Sequence, residues 1–316
     1  MRVLITGAGG FVGARVFARL AASPGCEVRG VWGPGSGHED ACDLADVAAT
    51  RSLMTARQPD VVLHLAAMSS VAVGAGRPDE VWRNNFDATR AVALAARALD
   101  RPVHLVFASS AEVYGRMFNA GPCDEETAVA PTSTYGRTKA ASEFELQDLA
   151  RDGLSVTALR LFNHTGPGQD ERFVLPSFAA QIAEAACTGL REVRVGNLEA
   201  RRDFTDVRDV VEAYAAVALT PPAESSAFRV FNVGAGRSVR IGDLLQGLMA
   251  ISGLDLAVVQ DPGRMRPSDI PLAEGRFDRI RKQYGWCATT DFGETLAALY
   301  ASALAEAQRR HGTVST

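Results

Sequence analysis

A glycine-rich turn directly after the first apolar run is the feature that most constrains the fold of this chain. Arg2–Thr6 is predicted to be a strand and Phe11–Ala22 a helix, and T-G-A-G-G-F-V-G joins them with a G-x-x-G-x-x-G spacing. Glycines at these places allow a tight turn, let a pyrophosphate approach the backbone, and let the helix pack closely on the strand. We therefore expect a dinucleotide to bind at this turn. The residues expected to hold it are Gly7, Gly10, Phe11, Val12 and Gly13.

Short apolar runs alternate with longer amphipathic runs to about residue 161, which is typical of a parallel sheet covered by helices on both faces. The predicted strands in this part are Arg2–Thr6, Glu27–Trp32, Val61–Leu65, Val103–Ala108 and Ser155–Leu161. The predicted helices are Phe11–Ala22, Asp46–Arg57, Asp79–Leu99 and Tyr135–Arg151. After Asn163 the loops lengthen, with predicted strands at Glu192–Val195, Arg229–Val233 and Leu256–Gln260 and predicted helices at Pro176–Thr188, Val207–Leu219, Ile241–Ile251 and Thr295–Arg310. The sequence thus predicts an α/β fold. A Rossmann-type, doubly wound parallel sheet in residues 1–162 would bind the dinucleotide, and a smaller α/β domain in residues 163–316, partly interleaved with the first, would bind the substrate.

Charge and composition exclude several classes of function. Lys plus Arg is 33 and Asp plus Glu is 37, so the net charge of −4 gives no electrostatic reason to bind nucleic acid or an acidic membrane surface. No uninterrupted apolar stretch is long enough to span a bilayer, and no secretory signal is recognisable. The five cysteines are scattered and odd in number, which fits neither a disulfide framework nor a metal site. We expect a soluble, cytoplasmic protein with no metal and no nucleic-acid or membrane partner.

The end of the second strand is where a Rossmann fold usually recognises the adenosine ribose of NAD or NADP. Here the sequence V-W-G-P-G-S-G offers neither the carboxylate that binds the 2′-hydroxyl of NAD nor the arginine that binds the 2′-phosphate of NADP. The missing carboxylate favours NADP(H), while the missing arginine leaves NAD(H) open. Asp43 is a candidate for bonding to the adenine amino group, and a helix-capping role explains it equally well.

A tyrosine and a lysine four residues apart indicate acid–base chemistry. In Y-G-R-T-K, Tyr135 and Lys139 share one helix face. A neighbouring ammonium stabilises a phenolate and draws the pKa of a tyrosine from about 10 towards the neutral range. An isolated Y-x-x-x-K is more often an ordinary amphipathic helix. The preceding strand, however, ends in F-A-S-S-A-E-V-Y-G, which brings Ser109 and Ser110 to the carboxyl edge of the sheet, where ligands bind.

In this combination of motifs the chain resembles the extended short-chain dehydrogenase/reductases that act on nucleotide-sugars. The resemblance covers nearly the whole chain and includes the glycine turn, D-L at 43–44, H-L-A-A at 64–67, N-x-x-x-T at 85–89, S-S-A-E-V-Y-G, Y-G-R-T-K, R-L-F-N, R-R-D-F-T-D-V-R-D and F-N-V-G-A-G. It implies that Ser110 polarises the sugar carbonyl or hydroxyl, that Tyr135 exchanges the proton, and that Lys139 binds the nicotinamide ribose and tunes Tyr135.

The resemblance also implies the remaining site residues. Cofactor contacts beyond the glycine turn are expected from Asp43, Leu44, Leu65, Ala66, Ala67, Asn85, Tyr135, Lys139 and Phe162. Substrate contacts are expected from Met68, Ser69, Ser110, Asn163, Val174, Val195, Asn197, Arg202 and Arg266. Arg202 and Arg266 match arginines that grip the diphosphate with their forked donors. His64 and His164 have no companions at ligand spacing, so we interpret His64 as a packing residue and, from the resemblance, His164 as part of the pocket wall.

Three reactions of this family compete: 4-epimerisation, 4,6-dehydration and 4-keto reduction. R-L-F-N-H-T-G-P-G-Q (160–169), R-F-V-L-P-S-F-A-A-Q-I-A and V-G-N-L-E-A-R-R-D-F resemble the reductases that act on GDP-4-keto-6-deoxy-D-mannose. We therefore expect an oxidoreductase that uses NAD(P)H to reduce the C4 ketone of this GDP-linked 6-deoxyhexose, giving GDP-D-rhamnose or its C4 epimer. Glu112 favours the alternative, because dehydratases keep a catalytic glutamate there. GDP-mannose 4,6-dehydratase, or a nucleotide-sugar 4-epimerase with recycled cofactor, stays open.

Two further expectations concern non-enzymatic binding and assembly. A redox sensor that binds NAD(P) without catalysis is disfavoured, because Ser110, Tyr135 and Lys139 are all present. The helices near Asp79–Leu99 and Glu143–Arg151 resemble those through which family members form dimers, although they would serve a monomer core as well. We expect a homodimer.

Overall fold

The computed structural model describes residues 1–69, 76–222, 227–265 and 270–312. The strands are β1 (Arg2–Thr6), β2 (Glu27–Val31), β3 (Val61–His64), β4 (His104–Ser110), β5 (Ser155–Leu161), β6 (Asn163–Thr165), β7 (Glu192–Val195), β8 (Arg201–Asp206), β9 (Phe228–Val233), β10 (Ser238–Arg240), β11 (Ala257–Gln260) and β12 (Leu272–Ala273). The α-helices are α1 (Phe11–Ala21), α2 (Val47–Arg57), α3 (Pro78–Trp82), α4 (Ala88–Arg97), α5 (Thr134–Arg151), α6 (Val174–Thr188), α7 (Val207–Leu219), α8 (Ile241–Ser252), α9 (Asp278–Tyr284) and α10 (Phe292–Gly312).

Six parallel strands form the main sheet, in the order β2-β1-β3-β4-β5-β9. Because β1 pairs with both β2 and β3, the direction of winding reverses beside β1. Ligands of such sheets bind outside the carboxyl ends of the strands at this reversal. The predicted α/β fold with a Rossmann-type, doubly wound parallel sheet is confirmed.

The sheet is buried on both faces, as the near-continuous apolar strands predicted. Val3 and Ile5 face one buried cluster, which α1 and α7 complete with side chains such as Val16 and Val210. Leu4, between them in the chain, faces the opposite cluster formed with α2, α4 and α5. The alternation of side chains along one strand therefore supplies two separate cores.

The second half of the chain contributes both to the main sheet and to a smaller group of strands and helices. Its strand β9 joins the main sheet beside β5, and α7 packs against α1. The other strands form a smaller assembly in which β8 pairs with β6, β10 and β12, while β11 pairs with β7. A third buried cluster, which includes Leu175, Phe178 and Leu245, lies there between α6, α8 and α10. A boundary at residue 162 with interleaving stays a proposal, and the interleaved part would be residues 207–233.

The expected single helix Asp79–Leu99 differs from the structure, which has α3, a π-helical turn over Arg83–Asp87, and then α4. Asn85 lies in this turn, fully buried, and its side chain bonds across to Met68 and Thr138. π-Helical turns occur often at functional sites.

Of the described helices, none combines the length and apolarity needed to cross a membrane.

Candidate active site

The glycine turn is shaped by backbone contacts that leave no room for side chains. Gly7 has a φ of +72°, and a Cβ on Gly13 would lie 2.0 Å from the carbonyl oxygen of Gly7. Gly10 begins α1 without any side chain that caps it. The first-turn amides of the helix are therefore accessible to an anion. This backbone geometry suits a pyrophosphate, and binding of a dinucleotide at Gly7 to Gly13 stays a prediction.

The loop after β2 lies where the adenosine of the predicted cofactor would bind. Trp32 follows that strand, and its ring stacks on His38 with centroids 4.1 Å apart. Asp43 forms an ion pair with Arg83, whose hydrogen bond holds the pKa of Asp43 below its usual range. The helix-capping alternative for Asp43 is wrong, because Asp46 caps α2 by accepting from two first-turn amides. A contact of Asp43 with adenine stays a prediction.

Asn85 and the end of β3 form the wall behind the loop that follows this strand. The Oδ1 of Asn85 accepts from the amide of Met68 at 2.7 Å, and its Nδ2 donates to the Met68 carbonyl at 3.2 Å. Asn85 thus holds the loop in place, and its direct contact with a cofactor stays a prediction. Leu65, Ala66 and Ala67 follow β3 and are half-buried, and Leu44, shortly before α2, is buried. His64 is buried between Thr6 and Thr89 as a packing residue, and burial lowers its pKa to about 3.

Ser110, Tyr135 and Lys139 come together at the carboxyl end of β4. Ser110 ends that strand and bonds to Tyr135, which lies in the first turn of α5. Lys139 lies one turn further on, where its Nζ donates to the Ala108 carbonyl at 2.7 Å and lies 5.8 Å from the Tyr135 ring centre. The predicted constellation is therefore assembled from one strand end and one helix start.

Burial has the largest influence on the pKa of both Tyr135 and Lys139. It raises the pKa of Tyr135 to about 12, against the hydrogen bond from Ser110. It lowers the pKa of Lys139 to about 7, against the negative charge of Glu143. The expectation that Lys139 draws the pKa of Tyr135 down is not met by these residues alone, because Lys139 is largely desolvated and bonds to a carbonyl. Tyr135 is consequently a protonated phenol, suited to donate a proton.

Glu112 lies next to this constellation. Its Oε2 accepts a hydrogen bond from Ser133, which caps α5, at 3.3 Å. Its amide donates to Ser110 Oγ at 3.2 Å, and its charge contributes to the raised pKa of Tyr135. Glu112 is therefore placed to hold the start of α5 against the end of β4.

Phe162, which is predicted to contact the cofactor, lies in an aromatic cluster. Its side chain is buried in an aromatic cluster, 5.9 Å from the ring centre of Phe118 and 5.1 Å from that of Phe277. A Cβ on Gly275 would lie 2.4 Å from this ring. Phe162 thus joins the two halves of the chain, and a contact with the cofactor stays a prediction.

A cavity of about 530 Å³ opens beyond the end of β5. Five of the predicted substrate residues line it: Asn163, Val174, Val195, Asn197 and Arg202. His164 also lines the cavity, and its ring stacks on Phe11 of the glycine turn with centroids 6.4 Å apart. Ser110 pairs in register with Leu161, two residues before Asn163. His164 thus links the cavity to Phe11, and Asn163 at its edge follows the strand that pairs with Ser110, although Ser110 and Tyr135 are not among the residues that line it.

The other predicted substrate residues lie elsewhere. Met68 and Ser69 follow β3 and are not among the residues that line the cavity. Arg266 lies outside the described residues, as does Ser70. Sequence analysis missed three further arginines in the lining, Arg172, Arg194 and Arg264. The run P-G-R-M-R was the available signal for Arg264, which donates to Ser177 Oγ at 3.0 Å.

Metal chemistry has no support in the part of the chain that the structure describes. No three His, Cys, Asp or Glu side chains there are close enough to hold an ion. The five cysteines all carry free thiols.

The chain belongs to the NAD dependent epimerase/dehydratase family, whose model matches residues 3–234. It is 33% identical to the GDP-6-deoxy-D-mannose reductase of Pseudomonas aeruginosa, across 94% of this chain and 95% of that protein. The fold and motifs thus define an NAD(P)-dependent enzyme class whose members act on nucleotide-sugars.

Two solved structures extend the comparison. RMD from Pseudomonas aeruginosa complexed with NADPH has a TM-score of 0.83 and 29% identity, covering 96% of this chain and 98% of that one. The UDP-glucose 4-epimerase of Thermus thermophilus, in complex with NAD, has a TM-score of 0.83 and 26% identity over 96% and 99%. Both nicotinamide cofactors therefore occur among the similar structures.

Proposed function

We propose that this protein reduces the C4 ketone of GDP-4-keto-6-deoxy-D-mannose with NADPH, giving GDP-D-rhamnose or its C4 epimer. The observation that carries the proposal is the arginine-lined cavity that opens beyond β5, the strand that pairs with the Ser110 end of β4. Among the described residues, the lining contains Arg172, Arg194, Arg202 and Arg264 and one carboxylate, Glu171, while Asp170, Glu192 and Asp261 pair with three of these arginines from outside the lining. Such a positive lining suits a diphosphate.

The chain's own residues would perform the proton transfer. Reduced nicotinamide would supply the hydride to C4. Ser110 would hold the carbonyl oxygen by a hydrogen bond, and Tyr135 would donate its phenolic proton to that oxygen. Lys139 would hold the nicotinamide ribose from the same helix face. Reduction needs no further acid–base group.

The position of Glu112 supports reduction over dehydration. A dehydratase needs this carboxylate at the sugar, whereas here one of its oxygens accepts from Ser133 at the start of α5. Replacement by glutamine keeps that hydrogen bond and removes the charge. We expect Glu112→Gln to retain ketone reduction within about tenfold. A loss comparable to that of Tyr135→Phe would favour the dehydratase.

NADP(H) is proposed as the preferred cofactor. Asp43 is paired with Arg83 and Asp40 with Arg57, so neither of these carboxylates near the end of β2 is free to take the ribose 2′-hydroxyl of NAD. The related reductase structure contains NADPH. A comparison of kcat/KM for NADPH and NADH tests the preference, and a higher value for NADH would overturn it.

The deciding experiment mixes the purified protein with GDP-4-keto-6-deoxy-D-mannose and NADPH and follows the absorbance of reduced nicotinamide. Rapid, substrate-dependent loss of absorbance is expected, with a GDP-linked deoxyhexose as product. No loss, together with interconversion of UDP-glucose and UDP-galactose, would instead establish a 4-epimerase. Conversion of GDP-mannose to the 4-keto sugar would establish a dehydratase.

A homodimer is also proposed. Trp82 on α3 is 38% exposed and Phe144 on α5 is 55% exposed, and the two helices pack side by side. Large apolar side chains exposed on adjacent helices are suited to an interface with a second copy. Light scattering should give twice the chain mass of 33.6 kDa. Phe144→Glu should return the protein to the monomer mass.

A further inference from the structure

Lys139 is so deeply buried that its ammonium group needs a nearby negative charge or several hydrogen bonds to stay protonated. The side chain is 1% exposed, and its Nζ has one carbonyl partner, Ala108, at 2.7 Å. The face of Phe107 lies 4.7 Å away and offers a weak cation–π contact. Burial favours the neutral amine. The proposed role requires a cation, so another group has to stabilise the charge.

Glu143 lies one helical turn beyond Lys139 on the same face of α5 and is 2% exposed. Its Oε1 accepts from Ser109 Oγ at 2.5 Å and from Arg160 Nε at 3.0 Å. Its Oε2 accepts from Arg160 Nη2 at 2.6 Å. This two-pronged contact with a guanidinium fixes the orientation of the carboxylate.

Arg160 is fixed in turn by a buried chain of polar groups. Its Nη1 donates to the hydroxyl of Tyr114 at 3.0 Å, and that hydroxyl donates to Asn232 Oδ1 at 2.6 Å. Asn232 bonds through Nδ2 to the carbonyls of Cys123 and Arg276 at 3.2 and 3.1 Å. The carboxylate of Glu143 is therefore held in one orientation.

Two other titratable groups that face Lys139 in the described part of the chain carry no charge at neutral pH, whereas Arg160, on the far side of Glu143, keeps its positive charge. Tyr135 on its own helix is a protonated phenol, and its ring centre lies 5.8 Å from Nζ. His64 on β3 is neutral, because burial and the charge of Lys139 lower its pKa to about 3. Among the described residues, Glu143 is thus the negative charge that acts on Lys139.

We propose that Glu143 is a positioning residue for catalysis, whose carboxylate, locked by Arg160 and Ser109, keeps Lys139 positively charged in its buried place. Ser109 lies beside Ser110 on β4, so the same hydrogen bond ties the carboxylate to the strand end that carries the serine. The inference rests on the proposed role of Lys139 and adds the group that sustains it.

The lysine content makes the test direct, since Lys139 and Lys282 are the two lysines of the chain. With [6-13C]lysine-labelled protein, each 13Cε signal can be followed against pH, and exposed Lys282 is the internal reference. In Glu143→Gln the midpoint of Lys139 should fall by at least about one pH unit, as expected for the loss of the opposite charge that acts on it. The signal of Lys282 should not move.

Three variants complete the design. Glu143→Asp retains the charge and should restore the wild-type midpoint. Asp148→Asn, which removes an exposed carboxylate from the same helix, should leave it unchanged. If Glu143→Gln does not fold because Arg160 is left buried and unpaired, Glu143→Gln/Arg160→Gln removes both charges and should still show an acid shift, reduced because the loss of the positive charge of Arg160 acts in the opposite direction. An unchanged midpoint in whichever of these two variants folds overturns the proposal, even if the variant is less stable.

The titration requires neither sugar nor cofactor, so its result is separate from that of the proposed function. Wild-type protein that binds neither NADPH nor NADH would refute the function. Wild-type protein that binds NADPH while Glu143→Gln keeps the midpoint of Lys139 would refute the positioning role alone.

Discussion

Replacing Gly13 by alanine tests the glycine turn with a single methyl group. The added Cβ would lie 2.0 Å from the Gly7 carbonyl oxygen, whereas ordinary contact begins at 3.4 Å, so the two must separate by about 1.4 Å. Overpacking of this kind costs about 1–3 kcal/mol of folding free energy. A displacement of α1 on this scale also removes its first-turn amides from hydrogen-bonding distance of a phosphate.

The effect on cofactor affinity follows from the hydrogen bonds lost. Two bonds to a charged phosphate, at about 1.5 kcal/mol each, amount to about 3 kcal/mol, or roughly a hundredfold in Kd. Fluorescence titration with NADPH measures the affinity, and urea unfolding measures the stability. Gly312→Ala is the control, because its methyl group would meet nothing within 4 Å. Gly13→Ala protein with wild-type unfolding and a Kd within threefold of wild type would refute the reasoning.

Four further outcomes are expected. Tyr135→Phe should reduce turnover of the keto-sugar at least about a hundredfold while the Kd for NADPH changes little, and normal turnover would contradict its acid role. Arg202→Ala should raise KM for the GDP-sugar at least about tenfold in steady-state assays, and an unchanged KM would remove it from the diphosphate site. NADPH binding to the free enzyme should weaken between pH 6 and 8, because Lys139, whose pKa burial lowers to about 7, is protonated below that pH and neutral above it. Equal affinity at both pH values in a fluorescence titration would contradict this. Asp46→Ala should lower the free energy of unfolding by about 1 kcal/mol through loss of the helix cap, with kinetics unchanged, and a wild-type unfolding midpoint would contradict it.

The parts of the fold that follow from local sequence were predictable. Strand Ser155–Leu161 and helix Val207–Leu219 have the same bounds in the structure as in the prediction, because their apolar spacing is set by burial on one or both faces. The closeness of Ser110 and Tyr135 was predictable for a related reason. Ser110 and Tyr135 lie at a strand end and a helix start, places that a parallel sheet brings to one edge whatever the loops between them do.

The strands that sequence analysis missed depend on distant partners. Arg201–Asp206 reads R-R-D-F-T-D, without an apolar run, and becomes a strand because β6, β10 and β12 pair with it. Asp203 within it is fully buried and accepts three backbone amides, those of residues 235–237. Because Asp203 bonds to a turn some thirty residues further along the chain, the residues around it show no hydrophobic periodicity that would have predicted a strand. Four arginines in one cavity likewise come from separate segments that only the folded chain brings together.

The charges around α5 indicate how acid strength would be controlled in the proposed reaction. A phenol with a pKa of about 12 is a weak acid, so reduction requires that the developing phenolate of Tyr135 be stabilised as the proton leaves. Ser110 offers one hydrogen bond, and Lys139 offers the positive charge nearest on the same helix face. Lys139 can do so only while it is protonated, which burial opposes and the carboxylate of Glu143 favours. The proton donor of the proposed reaction would therefore depend, through one lysine, on a carboxylate that touches neither sugar nor cofactor.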